Sequence, residues 1–442
     1  MDFKNKKIAV IGEGIEGESS AKFLKKQGAD VTILDLKQGK DYLNGLEKYN
    51  LIVRSPGVPL SVFPSSIINA QPSKLTSQTK LFFELCPAQI IGVTGTKGKG
   101  TTSSLIYEML KKDGKDAYLG GNIGVPPFEF LDKLNKDSIV VLEISSFQLE
   151  DIHKSPHIGV ILLIAPEHLG KDIYGTQNYH KTMEDYVSAK RNILRFQTKD
   201  DFAILNRDFP VSNESDVETE GKVYQFSRER EVSEGCFALG NQIILRANGQ
   251  EIPVFETKDL ILRGEHNFEN VCAAVMAAHL AGVSLKSIQN TLADFKGLEH
   301  RLEFVDQINR VEYYDDSFST TPETAIAAIE AFEEPEVLIL GGSSKNSDFQ
   351  ELGQLISGKG NIKAIIGVGA EWPRIKEHIK SASILMLEGA KDMHQIVAAA
   401  SKIAVSGDVV LLSPACASFD MFKNYKDRGE QFKKEVSKLR KI

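Results

Sequence analysis

The chain has 442 residues, 42% hydrophobic and 26% charged, the balance of a globular protein with a real core, and its length leaves room for about three domains. A formal net charge of −7 argues against general nucleic-acid binding, which expects a basic footprint. No apolar run approaches the ~20 residues of a membrane span, the four cysteines (Cys86, Cys236, Cys272 and Cys416) form no C-x-x-C pair, and no signal peptide precedes the first strand. These features point to a cytoplasmic protein that binds neither nucleic acid nor membrane; a monomer is expected.

In chain order, "KIAVIGEGIEGESSAKFLKKQGADVTILD" reads as a strand, a glycine turn, a helix and a second strand. "YNLIVRSPGVP" adds a strand and a Pro/Gly turn, and this first unit is expected to span residues 1–88. Gly12, Gly14 and Gly17 form G-x-G-x-x-G between strand and helix, and Asp35 ends the next strand. The glycines permit a tight turn and close approach of a diphosphate to a helix N-terminus, and the carboxylate suits a ribose. NAD and a UDP-sugar both offer those groups; a tight turn without a ligand is the plain alternative.

A second unit, 89–297, opens with the apolar strand "AQIIGVTG" and a helix from about Lys99 to Lys112. Between them lies "VTGTKGKGTTSS". A glycine-rich turn after a strand aims backbone N–H groups at phosphate oxygens. Lys99 reaches the β/γ-phosphates of such a ligand, and Thr101 or Thr102 supplies a hydroxyl. "SIVVLEISS" and "IGVILLIA" are short continuous apolar runs, expected as strands buried on both faces of a parallel sheet. Glu143 ends the first and His168 follows the second, where open α/β sheets bind ligands; both are candidate magnesium ligands, with a solvated carboxylate and an ordinary loop histidine as alternatives. Lys190, in the helical "MEDYVSAKRNIL", has no role from spacing alone. Residues 211–262 suggest a small β-rich insertion, and "HNFENVCAAVMAAHLAG" an amphipathic helix.

The third unit, 298–442, alternates helices with strands at "VEYYDDS", "EVLILGGS", "KAIIGVG", "SILML" and "DVVLLSPA". That alternation predicts an α/β fold with a parallel sheet. Arg301, at its start, suits a bidentate phosphate clamp or an ordinary ion pair. Lys345, Ser418 and Lys423 follow strands, where a substrate carboxylate or a simple turn fits.

Together "LEISSFQLE", "GEHNFENVCAA", "GLEHRLE" and "LLSPACASFDMFKNYKDRGEQF" resemble segments of the Mur ligases, the ATP-dependent amino-acid ligases of peptidoglycan synthesis. The resemblance covers nearly the whole chain. It implies a Rossmann-like UDP-binding domain, a central P-loop ATPase domain with a mostly parallel sheet, and a Rossmann-like C-terminal domain for the amino acid. It implies ATP and two Mg2+ as cofactors, and UDP-N-acetylmuramoyl-L-alanine and glutamate as partners. ATP would phosphorylate the muramoyl-alanine carboxylate; the glutamate amine would then displace phosphate through a tetrahedral intermediate.

Carried over by residue, the resemblance assigns Gly95, Thr96, Gly98, Lys99, Gly100, Thr101 and Thr102 to ATP, joined by Asn267, Asn270, Arg301 and Asp316. Thr101, Glu143, His168 and Lys190 (as a carbamate) become magnesium ligands, and Lys99, Glu143, His168 and Lys190 the catalytic set. Gly12, Gly14, Gly17, Asp35 and Asn122 fall to the UDP substrate, and Thr320, Lys345, Ser418 and Tyr425 to glutamate. The chain departs from the family pattern at Lys97, Gly100, Gly170 and Tyr425, and at Phe318, where a lysine is expected. Phe318 leaves D- and L-glutamate both open. Folylpolyglutamate synthase fits Gly100 but not the first unit, an NAD oxidoreductase fits only Gly12–Gly17, and an inactive binding protein would explain the departures.

Overall fold

The continuous apolar runs "IVVLE" and "IGVI" become strands covered on both faces. The computed structural model describes residues 1–68, 72–167, 169–170, 178–344 and 347–440. The first sheet contains β1 (Lys7–Ile11), β2 (Asp30–Leu34), β3 (Leu51–Arg54) and β4 (Leu75–Ser77), parallel in the order β2-β1-β3-β4.

The second sheet contains β5 (Gln89–Thr94), β6 (Ala117–Gly121), β7 (Ile139–Glu143), β8 (Ile158–Ile161), β9 (Phe202–Asn206), β10 (Lys222–Ser227), β11 (Gly235–Leu239), β12 (Gln242–Ala247) and β13 (Gln250–Glu256). Its order is β13-β12-β11-β10-β9-β8-β5-β7-β6. The chain leaves β5 toward β6 and β7 on one side, then crosses to β8 on the other. That reversal opens a crevice at the carboxyl ends of the central strands, where the glycine loop after β5 and Glu143 at the end of β7 both lie. The expected helix is found at Lys99–Lys112.

One expectation is refined and one corrected. Residues 211–262 are β-rich as expected and join the second sheet: β10 pairs parallel with β9, and β11, β12 and β13 extend it outward. The outermost strand, β13, is largely uncovered and accommodates Pro253 beside a register shift. The helix His266–Leu280 is not amphipathic through its middle: every residue from Val271 to Ala278 is fully buried. Its alanines leave room for neighbours on all sides, so it is a core helix.

The third sheet contains β14 (Glu303–Ile308), β15 (Val311–Asp315), β16 (Glu336–Gly341), β17 (Ile362–Val368), β18 (Leu385–Glu388) and β19 (Val409–Leu412), in the order β14-β15-β19-β16-β17-β18. All pairings are parallel except the β14–β15 hairpin. The sequence reading did not include β14, whose half-buried "EFVDQI" carries little apolar signal.

Compactness divides the chain into two units: residues 1–259 with 268–292, and residues 260–267 with 293–442. The first unit holds two sheets because they share one hydrophobic core. Phe23 stacks on Phe128 with centroids 4.3 Å apart, and Phe82 meets Phe130 edge-on at 5.9 Å. Phe82→Ala is therefore expected to destabilise this unit by about 3–5 kcal/mol. Chemical denaturation followed by far-UV circular dichroism should show the first two sheets melting together; separate transitions would contradict a shared core.

Candidate functional site

The first constellation lies beside the N-terminal glycines. Gly12 has φ +96°, and a Cβ on Gly17 would stand 1.9 Å from the Gly12 carbonyl oxygen, so the turn needs glycine at both places. Gly14 differs, because a Cβ there meets nothing within 4 Å. Gly12, Gly14, Asp35 and Asn122 line a cleft of about 1170 Å³, together with Lys37, Lys40 and Tyr42. Asp35 is already engaged: its carboxylate accepts the Glu13 N–H at 2.8 Å and the Lys37 N–H at 3.0 Å. Those amide donors hold its carboxyl below the usual range. Asp35 thus ties the glycine turn to the end of β2, whatever it does for a ligand.

The cleft wall also carries Glu16, which sequence reasoning passed over. Its carboxylate accepts the Gln148 amide, and burial pushes its pKa up to about 7 against that bond and the Arg54 charge.

The second constellation is the loop between β5 and the helix Lys99–Lys112. Gly98 has φ +84° and precedes the helix without a side-chain cap. A Cβ there would stand 2.2 Å from Asn270 Oδ1. Thr102, fully buried, donates to that same Asn270 oxygen at 3.3 Å. Asn270 therefore braces the loop from behind. Thr96 exchanges bonds with the backbone of Ala165 and meets the Tyr186 hydroxyl at 2.9 Å. Lys99 folds back onto the carbonyls of Gly95 (3.0 Å) and Thr96 (2.9 Å).

Lys190 joins the same carbonyl. The helix Met183–Arg195 starts at Thr182, whose side chain accepts the Asp185 N–H. It buries Tyr186, Ala189, Lys190 and Ile193 on one stripe. Lys190 is 2% exposed, donates to the Gly95 carbonyl at 2.8 Å and lies 4.7 Å above the Tyr186 ring. Burial, then the nearby Lys99 charge, drive its amine well below the ordinary lysine range; Glu167 and Glu143 pull the other way. Glu167 accepts the Tyr186 hydroxyl at 3.4 Å and is a second residue that sequence reasoning missed.

Glu143 is buried at the end of β7, in register with Val93 of β5 and Gly121 of β6. Its carboxylate accepts the Asn122 amide at 2.7 Å. Asn122 also lines the cleft, so one side chain joins cleft and strand end. His168, the other candidate ligand of this region, lies outside the described residues, as does Lys345.

The third constellation belongs to the C-terminal unit. Asp316 is buried and accepts the Ser413 hydroxyl at 2.7 Å and the Leu302 N–H at 3.2 Å. Burial pushes its carboxyl up to about 7, with Ser413 and Leu302 opposing. The Arg301 guanidinium lies over the Phe318 ring, 5.3 Å from its centroid, and Phe318 meets Tyr425 edge-on at 5.2 Å. Ser418 is buried, and its carbonyl accepts the Phe422 N–H at 2.8 Å; Thr320 is half-buried. Asn267 donates to the Arg263 carbonyl at 2.6 Å. His300, in a left-handed conformation at φ +63°, contacts Asp315 at 2.7 Å.

Comparisons with known proteins agree with one another. The family model of the Mur ligase middle domain matches residues 93–278, and that of the Mur ligase glutamate ligase domain matches residues 300–416. The UDP-N-acetylmuramoylalanine–D-glutamate ligase of Acetivibrio thermocellus is 36% identical, covering 99% of this chain and 97% of its own. The ligase of the same name from Pelotomaculum thermopropionicum is 38% identical, covering 100% and 99%. Among solved structures, the MurF ligase of Thermotoga maritima in complex with ADP aligns with a TM-score of 0.56 at 18% identity, over 99% of this chain and 96% of its own. The UDP-N-acetylmuramate–alanine ligase MurC of the same organism gives 0.57 at 16%, over 98% and 99%. At those identities the two structures speak for the three-domain α/β fold alone.

The glycine turn gives a direct test. Gly17→Ala is expected to lower stability by about 2 kcal/mol or more, and Gly14→Ala to stay within about 0.5 kcal/mol of the parent. Thermal melts of the two variants check this; equal melting points would contradict the steric account.

Proposed function

Because the chain belongs to the Mur ligase family, we propose that it joins glutamate to UDP-N-acetylmuramoyl-L-alanine at the expense of ATP, with D-glutamate as the amino acid. The observation that carries this reading is the end-to-end likeness to D-glutamate ligases, first sheet included. Folylpolyglutamate chemistry and simple NAD binding each leave part of that likeness unexplained. In this reading residues 1–88 bind the UDP substrate, 89–297 the nucleotide and 298–442 the amino acid.

A carboxylate is a poor electrophile, and converting it to an acyl phosphate supplies a leaving group for attack by the glutamate amine. Negative charge accumulates in both steps, so the chain must meet it with donors and cations. The loop Gly95–Gly98 and the helix start offer N–H groups to phosphate oxygens. Lys99 exchanges its two backbone carbonyls for phosphate. Thr102 is committed to Asn270, which leaves Thr101 as the loop hydroxyl.

The donor set suits magnesium. Thr101 and Glu143 offer oxygens, and Lys190 fits once it carries a carbamate. Bound there, the two ions would neutralise phosphate charge and polarise the phosphoryl group. Burial beside Lys99 favours the neutral Lys190 amine. That is the form that adds to carbon dioxide, forming an N–C bond and releasing one proton. The carbamate then answers the Lys99 charge instead of repeating it. His168 completes the proposed ligand set, and Lys345 the amino-acid site with Thr320, Ser418 and Tyr425. Asn267, Asn270, Arg301 and Asp316 are proposed for ATP, and Gly12, Gly14, Gly17, Asp35 and Asn122 for the UDP substrate. The protein is proposed to act as a cytoplasmic monomer.

A second reading, L-glutamate, has one specific observation in its favour. The Arg301 guanidinium lies over the ring of Phe318, a position where the resemblance to the family implies a lysine. Phosphate release with ATP, magnesium and UDP-N-acetylmuramoyl-L-alanine should depend on D-glutamate. Release with L-glutamate alone would establish the second reading, and release with neither would sink the ligase.

Lys190→Ala should lose at least about 100-fold in kcat, on the scale of one lost electrostatic contact, and regain part of it with a small carboxylate such as acetate. Full activity without rescue would exclude the proposed role.

A further inference from the structure

Arg54 ends β3, one strand from the glycine turn, and its side chain is fully buried. Buried arginines require partners, and this one uses two separate walls. Nη1 donates to the Val58 carbonyl at 2.9 Å, and Nη2 to the Phe147 carbonyl at 3.2 Å. Val58 belongs to the turn Ser55–Pro59 that lines the large cleft. Phe147 lies in the short helix Ser146–Leu149, four residues beyond the end of β7. Glu150 and Asp151 face the guanidinium at 3.4 and 3.5 Å. One planar cation thus joins the cleft wall to the segment that continues directly from Glu143.

We infer that Arg54 is a positioning residue for ligation: it fixes the wall of the UDP-substrate cleft against the strand end that carries Glu143. This rests on the reading of that cleft proposed above. The carboxylate to be phosphorylated arrives on a substrate anchored in the cleft, while the phosphoryl donor sits by the loop after β5. An offset of about 1 Å between two such parts is enough to slow a reaction of this kind about 100-fold. The two carbonyl bonds set that offset, and a planar fork is needed to make both; an ammonium has no such fork. The carboxylates of Glu150 and Asp151 offset the charge but do not reach the cleft wall. A plain structural ion pair would weaken every kinetic constant together, whereas positioning affects the UDP substrate selectively.

The test uses the full chain. Arg54→Met should raise KM for UDP-N-acetylmuramoyl-L-alanine about tenfold or more and lower kcat, with KM for ATP within about threefold. Arg54→Lys, which keeps the charge, should fall between Arg54→Met and the parent. Glu150→Gln should leave KM for the UDP substrate near the parent value. Unchanged KM and kcat in Arg54→Lys would overturn the inference even if Arg54→Met does not fold. A parallel rise in both KM values would also overturn it. Calorimetric titration without ATP separates the two layers. If the parent chain does not bind UDP-N-acetylmuramoyl-L-alanine, the cleft assignment falls and this inference with it. If the parent binds it and both Arg54 variants bind equally well, only the inference falls.

Discussion

Two lysine amines converge on one backbone carbonyl, that of Gly95, and the loop after β5 is held around this contact. Lys99 approaches from the helix that follows the loop, and Lys190 from the helix Met183–Arg195 packed against β5 and β8. Gly95 itself has no room for a side chain, since a Cβ would stand 2.7 Å from Leu162 Cβ. The loop is therefore held on three sides: by Leu162 and Leu163 after β8, by Asn270 behind Gly98, and by the paired amines. Two like charges in a buried place are unfavourable, and burial beside the Lys99 charge accordingly drives the Lys190 amine well below the ordinary lysine range.

The same logic explains why Tyr186 and Glu167 matter. Burial keeps the Tyr186 phenol protonated, so it serves as a donor to Glu167 and a partner to Thr96. Its ring covers the Lys190 amine, 4.7 Å from the ring centroid. Tyr186 and Lys190 are four residues apart and so share one helix face. The helix presents the buried amine and its cover together, and Ile193 anchors the same stripe in the core.

How much of this was legible depends on whether the signal was local. The glycine loop, Glu143 and the helix from Lys99 were visible because strand, turn and helix signals are contiguous. Lys190 gave no signal to a reading that treats helical lysines as solvated, yet its position on the stripe Tyr186–Ala189–Ile193 marked it as inward-facing. Periodicity alone contains that information, provided charged residues are not removed before the stripe is drawn. Asp35 was legible as important, but its first task is to tie two loops together through backbone amides. Arg54 and Glu16 were invisible, because their partners lie about 90 and 130 residues away in sequence. The buried helix His266–Leu280 was misread because a run of alanines resembles a mild amphipathic pattern until three-dimensional neighbours surround it.

The long motif "SPACASFDMFKNYKDRG" is specific for a physical reason that the C-terminal unit makes plain. Arg428, at its far end, is fully buried and bonds to the carbonyls of Cys416 and Ala417 at its near end. The same guanidinium holds the hydroxyl and the carbonyl of Ser317, each at 2.9 Å. Burial lowers the Arg428 pKa to about 10, which still leaves it charged at neutral pH. It is satisfied mainly by carbonyl dipoles, which cannot be supplied from elsewhere without rebuilding three segments at once. Gly429 must follow it, because a Cβ there would stand 2.2 Å from the His300 ring. The motif's spacing is thus set by one cation that closes a loop on itself and on Ser317. Phe318 and Tyr425 lie beside that clamp, and the Tyr425 carbonyl accepts the Ser317 hydroxyl at 2.8 Å, so the backbone at Tyr425 belongs to the same closure that Arg428 makes.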